Sequence, residues 1–282
     1  MKRKRIILWI IGLLITLIAA VYQKMTGPTY PKKAEITLNG KDYKLKLLRS
    51  HGGDDDAVIT LNIDDKTTDA KIFWKLFPPK EGENWNETNF MPETEKGKTV
   101  LKAKLPHQAP AGKIMYYISL KNKNGIQEIY KEEPIVIRFK GAVPPYVLIP
   151  HIIFIFFAMF LANVTGLFAA FKIPQFKRYT GITLILMLLG GMILGPIVQK
   201  FAFLEYWAGV PYGWDLTDNK LLIAFIAWLI AFLLNMKKEN RLSVIIASLV
   251  TIVIFSIPHS MYGSELNRET GKVVQGFIQL YL

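Results

Sequence analysis

The chain reads as a multi-domain membrane protein in which an all-β sandwich of immunoglobulin or fibronectin type III character is joined to an α-helical transmembrane bundle. Three features predict this. Residues 144–260 hold four long apolar runs separated by short polar loops; residues 28–143 alternate apolar and polar side chains with frequent turn residues; and a basic cluster precedes an apolar run at the N-terminus. Period-two alternation belongs to half-buried strands, and uninterrupted apolar runs of near 20 residues belong to helices that cross hydrocarbon.

Taken in order, Lys2, Arg3, Lys4 and Arg5 precede the apolar stretch Ile6 to Tyr22. That pattern is either a retained spanning helix or a signal peptide with Ala19-Ala20 as an imperfect cleavage site, and both put the N-terminus in the cytoplasm. A Gly/Pro linker follows. Alternating apolar positions then predict strands at Ile36/Leu38, Tyr43/Leu45/Leu47, Ala57 to Ile63, Ile72/Trp74/Leu76, Val100 to Leu105, Ile114 to Leu120 and Ile135 to Phe139. Turn signals separate them at Asn39-Gly40, His51-Gly52-Gly53, Pro78-Pro79, Lys96-Gly97, Ala111-Gly112 and Asn124-Gly125. Seven or eight short strands spaced this way predict an antiparallel sandwich with Trp74 as the core aromatic. The stretch Ala109 to Leu120 resembles a late strand of a fibronectin-type domain. Trp85, Phe90 and Met91 interrupt a polar loop and either fold back on the sandwich or form a partner-binding tip.

The four apolar runs are Tyr146 to Phe171, Gly181 to Phe203, Leu221 to Met236 and Leu242 to Pro258. In lipid the backbone must satisfy itself, so they are helices. The loops Lys172 to Arg178 and Lys237 to Arg241 hold six basic residues, against Lys200 and Lys220 on the other side, which makes those loops cytoplasmic. The β domain (28–143), the outer ends of the bundle (144–260) and the tail (261–282) are then periplasmic in a bacterial inner membrane. Val273, Val274, Phe277, Ile278 and Tyr281 recur at helical spacing, so the tail is expected to be an amphipathic segment lying at the interface or docked on a partner.

Net charge is +13, but it divides into +5 for residues 1–27, +4 for 28–145 and +4 for 146–282. An excess spread this evenly argues against nucleic acid. With no cysteine, disulfides, thiolate ligands and a Cys nucleophile are excluded. Asp54, Asp55, Asp56, Asp64 and Asp65 either hold calcium or form a charged loop; the twelve-residue loop ending in Glu is missing. His51 and His107 are expected in solvated loops. The sequence holds no phosphate loop, dinucleotide fingerprint, nucleophile elbow or zincin motif, so no catalytic residue is assigned.

At 1.5 Å per residue from the cytoplasmic flanks, His151, Gln199, Lys200, Asp218, Asn219 and His259 all fall roughly 27 to 33 Å away, near the outer headgroups. Glu205, Tyr206, Trp207, Trp214, Asp215 and Glu265 surround them in sequence. His151 and His259 are the candidate ligands for haem b or a divalent metal, with Asp215, Asp218 and Glu265 as further ligands or orienting groups. Gln199, Lys200 and Asn219 complete a polar cluster whose alternative reading is a hydrogen-bonded cap, because membrane helix ends gather polar and aromatic residues. Asn163 and Thr165 are expected to hydrogen-bond within the bundle, and Gly191 and Gly195 to allow close helix approach, inside the bundle or in a dimer.

Val143-Pro144 with Ile149-Pro150-His151, Gly195-Pro196-Ile197-Val198-Gln199-Lys200, Trp214-Asp215-Leu216-Thr217-Asp218-Asn219-Lys220, and Pro258-His259-Ser260 with Gly263-Ser264-Glu265 together resemble a family of uncharacterised bacterial inner-membrane proteins. The resemblance implies an exported β-sandwich followed by four transmembrane helices, and implies no activity. The expectation is therefore a non-enzymatic accessory or scaffold protein in contact with the bilayer and a protein partner. The alternatives are a haem- or metal-binding redox protein and a small transporter.

Overall fold

Alternation and turn chemistry build the strands. In the computed structural model, which describes residues 2–64, 68–95, 97–123, 125–258 and 265–274, the chain divides into a helical unit and a β unit formed by Thr29–Ala142 with Glu265–Val274. The β unit opens with the hairpin β1 (Lys32–Leu38) and β2 (Lys41–Leu47), turned by Asn39-Gly40 with both φ angles positive, as a tight two-residue hairpin requires. The rest comprises β3 (Ser50–Gly52), β4 (Ala57–Leu61), β5 (Asp69–Phe77), β6 (Asn86–Asn89), β7 (Met91–Glu95), β8 (Lys98–Leu105), β9 (Lys113–Asn122), β10 (Gly125–Ile129) and β11 (Ile135–Lys140). One sheet runs β3-β11-β9-β5-β6 with β10 also on β9, and a second runs β4-β8-β7. Pairing is antiparallel except between β3 and β11, which are parallel, a departure from the all-antiparallel expectation.

Both sheets and the first hairpin feed one apolar core that includes Leu38, Leu47, Ile59, Leu105, Ile72, Tyr116 and Phe139. Tyr116 and Phe139, both fully buried, take the central place expected of Trp74. Trp74 has the right parity but is only partly buried, and its indole N–H donates to Thr88 Oγ1 on edge strand β6 at 3.3 Å. The Tyr116 hydroxyl donates to the Leu48 carbonyl at 2.8 Å, which satisfies its polar tip in the core. Phe90 folds into the core between β6 and β7, whereas Met91 is 61 % exposed. His51 and His107 are not simply solvated: each ring meets Phe139 edge-on, at 5.7 and 5.9 Å. Asp64 accepts from Lys41 Nζ at 2.6 Å and from the Tyr43 hydroxyl at 2.7 Å, while Asp56 accepts from the His107 N–H. Asp65 lies outside the described residues.

The tail differs most from expectation. Its described part is a β-hairpin, β12 (Glu265–Leu266) with β13 (Val273–Val274), and it belongs to the β unit. Leu266 N–H donates to the Ala111 carbonyl at 3.2 Å, Lys113 Nζ pairs with Glu265 at 3.1 Å, and Arg268 Nη1 donates to the Pro78 carbonyl at 2.7 Å beside Glu83. Helical spacing of Val273 and Val274 is overridden by these long-range bonds; Phe277, Ile278 and Tyr281 lie outside the described residues.

The helical unit holds α1 (Lys2–Thr26), α2 (Pro145–Ala170), α3 (Phe176–Phe203), α4 (Leu216–Lys237) and α5 (Arg241–Ser256). The first four are long and apolar enough to cross a membrane; α5 is shorter, with 16 residues. Small residues seat the helices against each other. A Cβ on Gly12 would fall 2.6 Å from Val164 Cγ2, and one on Gly166 would fall 2.2 Å from Ser248 Oγ. Asn163 Nδ2 donates to Thr16 Oγ1 at 2.9 Å, so this expected interhelical bond joins α2 to α1. Thr165 is fully buried, and its hydroxyl has no hydrogen-bond partner among the described residues. Trp228 Nε1 donates to Thr251 Oγ1 at 2.7 Å between α4 and α5. The centre of α3, Met187–Ile193, is wound as a π-helix, next to Pro196, whose missing N–H interrupts the ladder there.

Candidate functional site

The expected polar cluster assembles chiefly around the loop between α3 and α4. α3 ends at Leu204, left-handed at φ 69°, whose carbonyl accepts from Lys200 Nζ at 2.7 Å. Asp215 caps α4: its Oδ1 accepts the N–H groups of Thr217 at 2.8 Å and Asp218 at 3.3 Å, satisfying donors that open every helix. Asp218, one turn on and 5 % exposed, accepts the Ala208 N–H at 2.6 Å and further bonds from the Gly209 N–H and the Gln199 side chain. Asn219 Oδ1 accepts the Val210 N–H at 2.8 Å. Gly209 has to be glycine, because a Cβ would sit 2.8 Å from both Asn219 Oδ1 and Asp218 Cβ. These bonds fold residues 204–215 into a fixed lid on the α3–α4 hairpin.

Lys220, only 3 % exposed, reaches the other side of that end of the bundle. Its Nζ donates to the carbonyls of Ile257 at 2.8 Å and Pro258 at 3.0 Å, and Gln23 Nε2 of α1 adds a bond to Ile257 at 3.2 Å. The last carbonyls beyond α5 are thereby satisfied by an ammonium and an amide, as a helix C-terminus favours. In the loop itself, burial and then the Asp215 charge push the Glu205 carboxyl above the usual range.

His151 stands apart from this lid. Its Nδ1–H donates to the Gly190 carbonyl at 2.8 Å, in the π-wound part of α3 and more than one turn before Gln199. Gly190 makes the approach possible: a Cβ there would lie 2.7 Å from Phe154 Cβ and 3.0 Å from the Ile155 nitrogen. Gly191 likewise faces Leu221 of α4, so the small-residue pair is used inside the bundle. Donation from Nδ1 leaves Nε2 as the nitrogen with a lone pair when the ring is neutral.

Glu265, expected beside Asp215 and Asp218, stands in β12 of the β unit with Lys113 as its ion-pair partner. His259 lies outside the described residues. Among the described residues, no group of three or more His, Asp or Glu side chains could hold a metal ion. What the arrangement does chemically is hold main chain: Asp215, Asp218, Asn219 and Lys220 all end on backbone groups. Sequence reasoning missed Gln23 and the backbone of Ala208 and Gly209, which no composition signal marks. Compared with models of protein families, with curated proteins and with solved structures, the chain matches none of them.

Proposed function

We propose that the chain is a multi-pass bacterial inner-membrane protein that acts as a non-enzymatic accessory or scaffold subunit. Its N-terminus and basic loops lie in the cytoplasm, and its immunoglobulin-like β domain and outer loops bind a partner protein in the periplasm. The basic flanks support this orientation: Lys4 stacks over Phe171, so the N-terminal cluster and the Lys172 to Arg178 loop share one end of the helical unit. The observation that carries the functional reading is that Asp218 and Lys220, the buried charges of the lid, terminate on main chain. A polar cluster consumed in closing its own loop is a cap, and a capped bundle bearing a folded β domain is suited to presenting that domain.

A second reading, haem or metal held by His151 and His259, has one observation in its favour: the Nδ1 bond to Gly190 orients the imidazole and leaves Nε2 available as a ligand. One preparation separates the two. Protein purified from its native membrane with a photo-crosslinker at Asn86 is expected to show no Soret band, less than one equivalent of metal, and a single protein crosslinked to the β domain. A Soret band or a full equivalent of metal that disappears in His151→Ala and His259→Ala would replace the scaffold reading with the redox one.

A further inference from the structure

At one place the main chain of α3 does not close its own ladder, and a side chain of α2 stands there. In an α-helix each carbonyl accepts the N–H four residues on, so the donor due to the Gly190 carbonyl is that of Leu194. The π winding of Met187–Ile193 redirects it: the Leu194 N–H goes to the carbonyls of Leu189 and Gly191 instead. A helix that passes from a five-residue to a four-residue repeat skips one acceptor, and here the acceptor skipped by Leu194 is Gly190. His151 Nδ1 donates to that oxygen at 2.8 Å. Away from water a carbonyl without a donor is costly. An imidazole that supplies the missing N–H therefore favours the π form over the α form, in which Leu194 would supply it.

A single π turn is an α-helix holding one extra residue, so it sets the register of everything beyond it. Were the segment to rewind, Leu194–Phe203 would turn by about 100° and advance by about 1.5 Å relative to the first half of α3. Each side chain's place would then be taken by the residue before it. Val198 would replace Gln199, whose side chain bonds Asp218, and Phe201, now 39 % exposed, would take the place of Ala202, which is 5 % exposed. We infer that His151 is a latch: it holds α3 in the π winding and so keeps Gln199 on Asp218, coupling α2 to the register of the lid. The latch uses Nδ1 alone and is independent of whether Nε2 takes a ligand. It rests neither on the partner-binding reading nor on which side of a membrane this end of the bundle faces.

In a chain without cysteine, single thiols placed at Phe201 and at Ala202 read that register. With the full-length protein in detergent, a maleimide is expected to label Phe201→Cys faster than Ala202→Cys when the rest of the chain is unchanged. Adding His151→Leu, which keeps bulk and removes the donor, should reverse the order. Deleting Leu189, a residue of the π segment with a 37 % exposed side chain, should restore the original order in the His151→Leu background, because it removes the extra residue. Ile149→Ala, at a 55 % exposed position of α2, should leave the order as it is. An unreversed order in His151→Leu would overturn the latch and assign the π winding to the packing around Gly190 and Pro196. Fast, equal labelling at both sites that the Leu189 deletion does not repair would show His151 to support the fold as a whole, and would overturn the latch as well.

Discussion

The lid on the helical unit and strand β11 of the β unit both bury charge, but Asp218 and Lys140 meet different neighbours. Around Asp218 two backbone N–H donors and the Gln199 amide converge on one carboxylate beside the like charge of Asp215, and Lys220 meets two carbonyls. Around Lys140, partly buried at the end of β11, burial and the like-signed Arg138 guanidinium both disfavour the charged ammonium. A satisfied polar network specifies one conformation of its own chain, whereas a partly buried ammonium facing a like charge carries a desolvation cost.

The sharpest break of that comparison is a pair of substitutions with opposite signs. Asp218→Ala strands the Ala208 and Gly209 N–H groups and should cost about 3 kcal/mol, read as a lowered unfolding midpoint in detergent. Lys140→Met, measured in neutral detergent with no anion, should be neutral or stabilise by about 1 kcal/mol. Destabilisation by both would mean that Lys140 is as well answered as Asp218. Next in size is Gly190→Ala, whose methyl meets main chain and Cβ of α2 and should cost about 2 kcal/mol. Gly191→Ala meets only the movable end of Leu221 and should cost less, so equal losses would contradict the backbone-to-backbone contact.

A smaller effect tests the answered part of the β unit. Glu83 accepts the Lys80 N–H at 2.8 Å and pairs with Arg268, and its carboxyl is held below the usual range, first by that backbone bond. A depressed carboxylate pKa means stability present above the unfolded value and lost as pH falls through the folded one. Glu83→Gln should therefore lower stability by less than about 1 kcal/mol at neutral pH and flatten the acid limb of a pH series; an unchanged acid limb would remove Glu83 from the clasp. Smallest is Asn163→Leu, which deletes the bond to Thr16 and should cost about 0.6 kcal/mol in detergent, with a larger loss pointing to a wider network.

How much of this was legible depends on whether the signal was local. Apolar runs located α2, α3 and α4 closely, because a lipid-facing helix must be apolar along its whole length. Strands with one buried face announced themselves by alternation. β6 and β7 did not, since Asn86–Asn89 and Met91–Glu95 lie on sheet edges with largely exposed side chains, and only Phe90 between them reaches the core. The tail was misread because Val273-Val274 fits either period, and what decides it, Lys113 with Glu265 and Arg268 with Pro78, lies far away in sequence. Asp215, Asp218 and Lys220 could be placed at one end of the bundle from sequence; their partners could not, being backbone groups. His151 could be placed on α2 from sequence; its partner could not, being the Gly190 carbonyl.

Because the chain has no cysteine, one residue can report its topology without background. Single cysteines at Asn86 in β6 and at Lys238 after α4, probed with a membrane-impermeant maleimide on intact spheroplasts, should give labelling of Asn86→Cys and protection of Lys238→Cys until the membrane is permeabilised. Labelling of Lys238→Cys with Asn86→Cys protected would contradict the account, because the β domain and the lid would then face the cytoplasm.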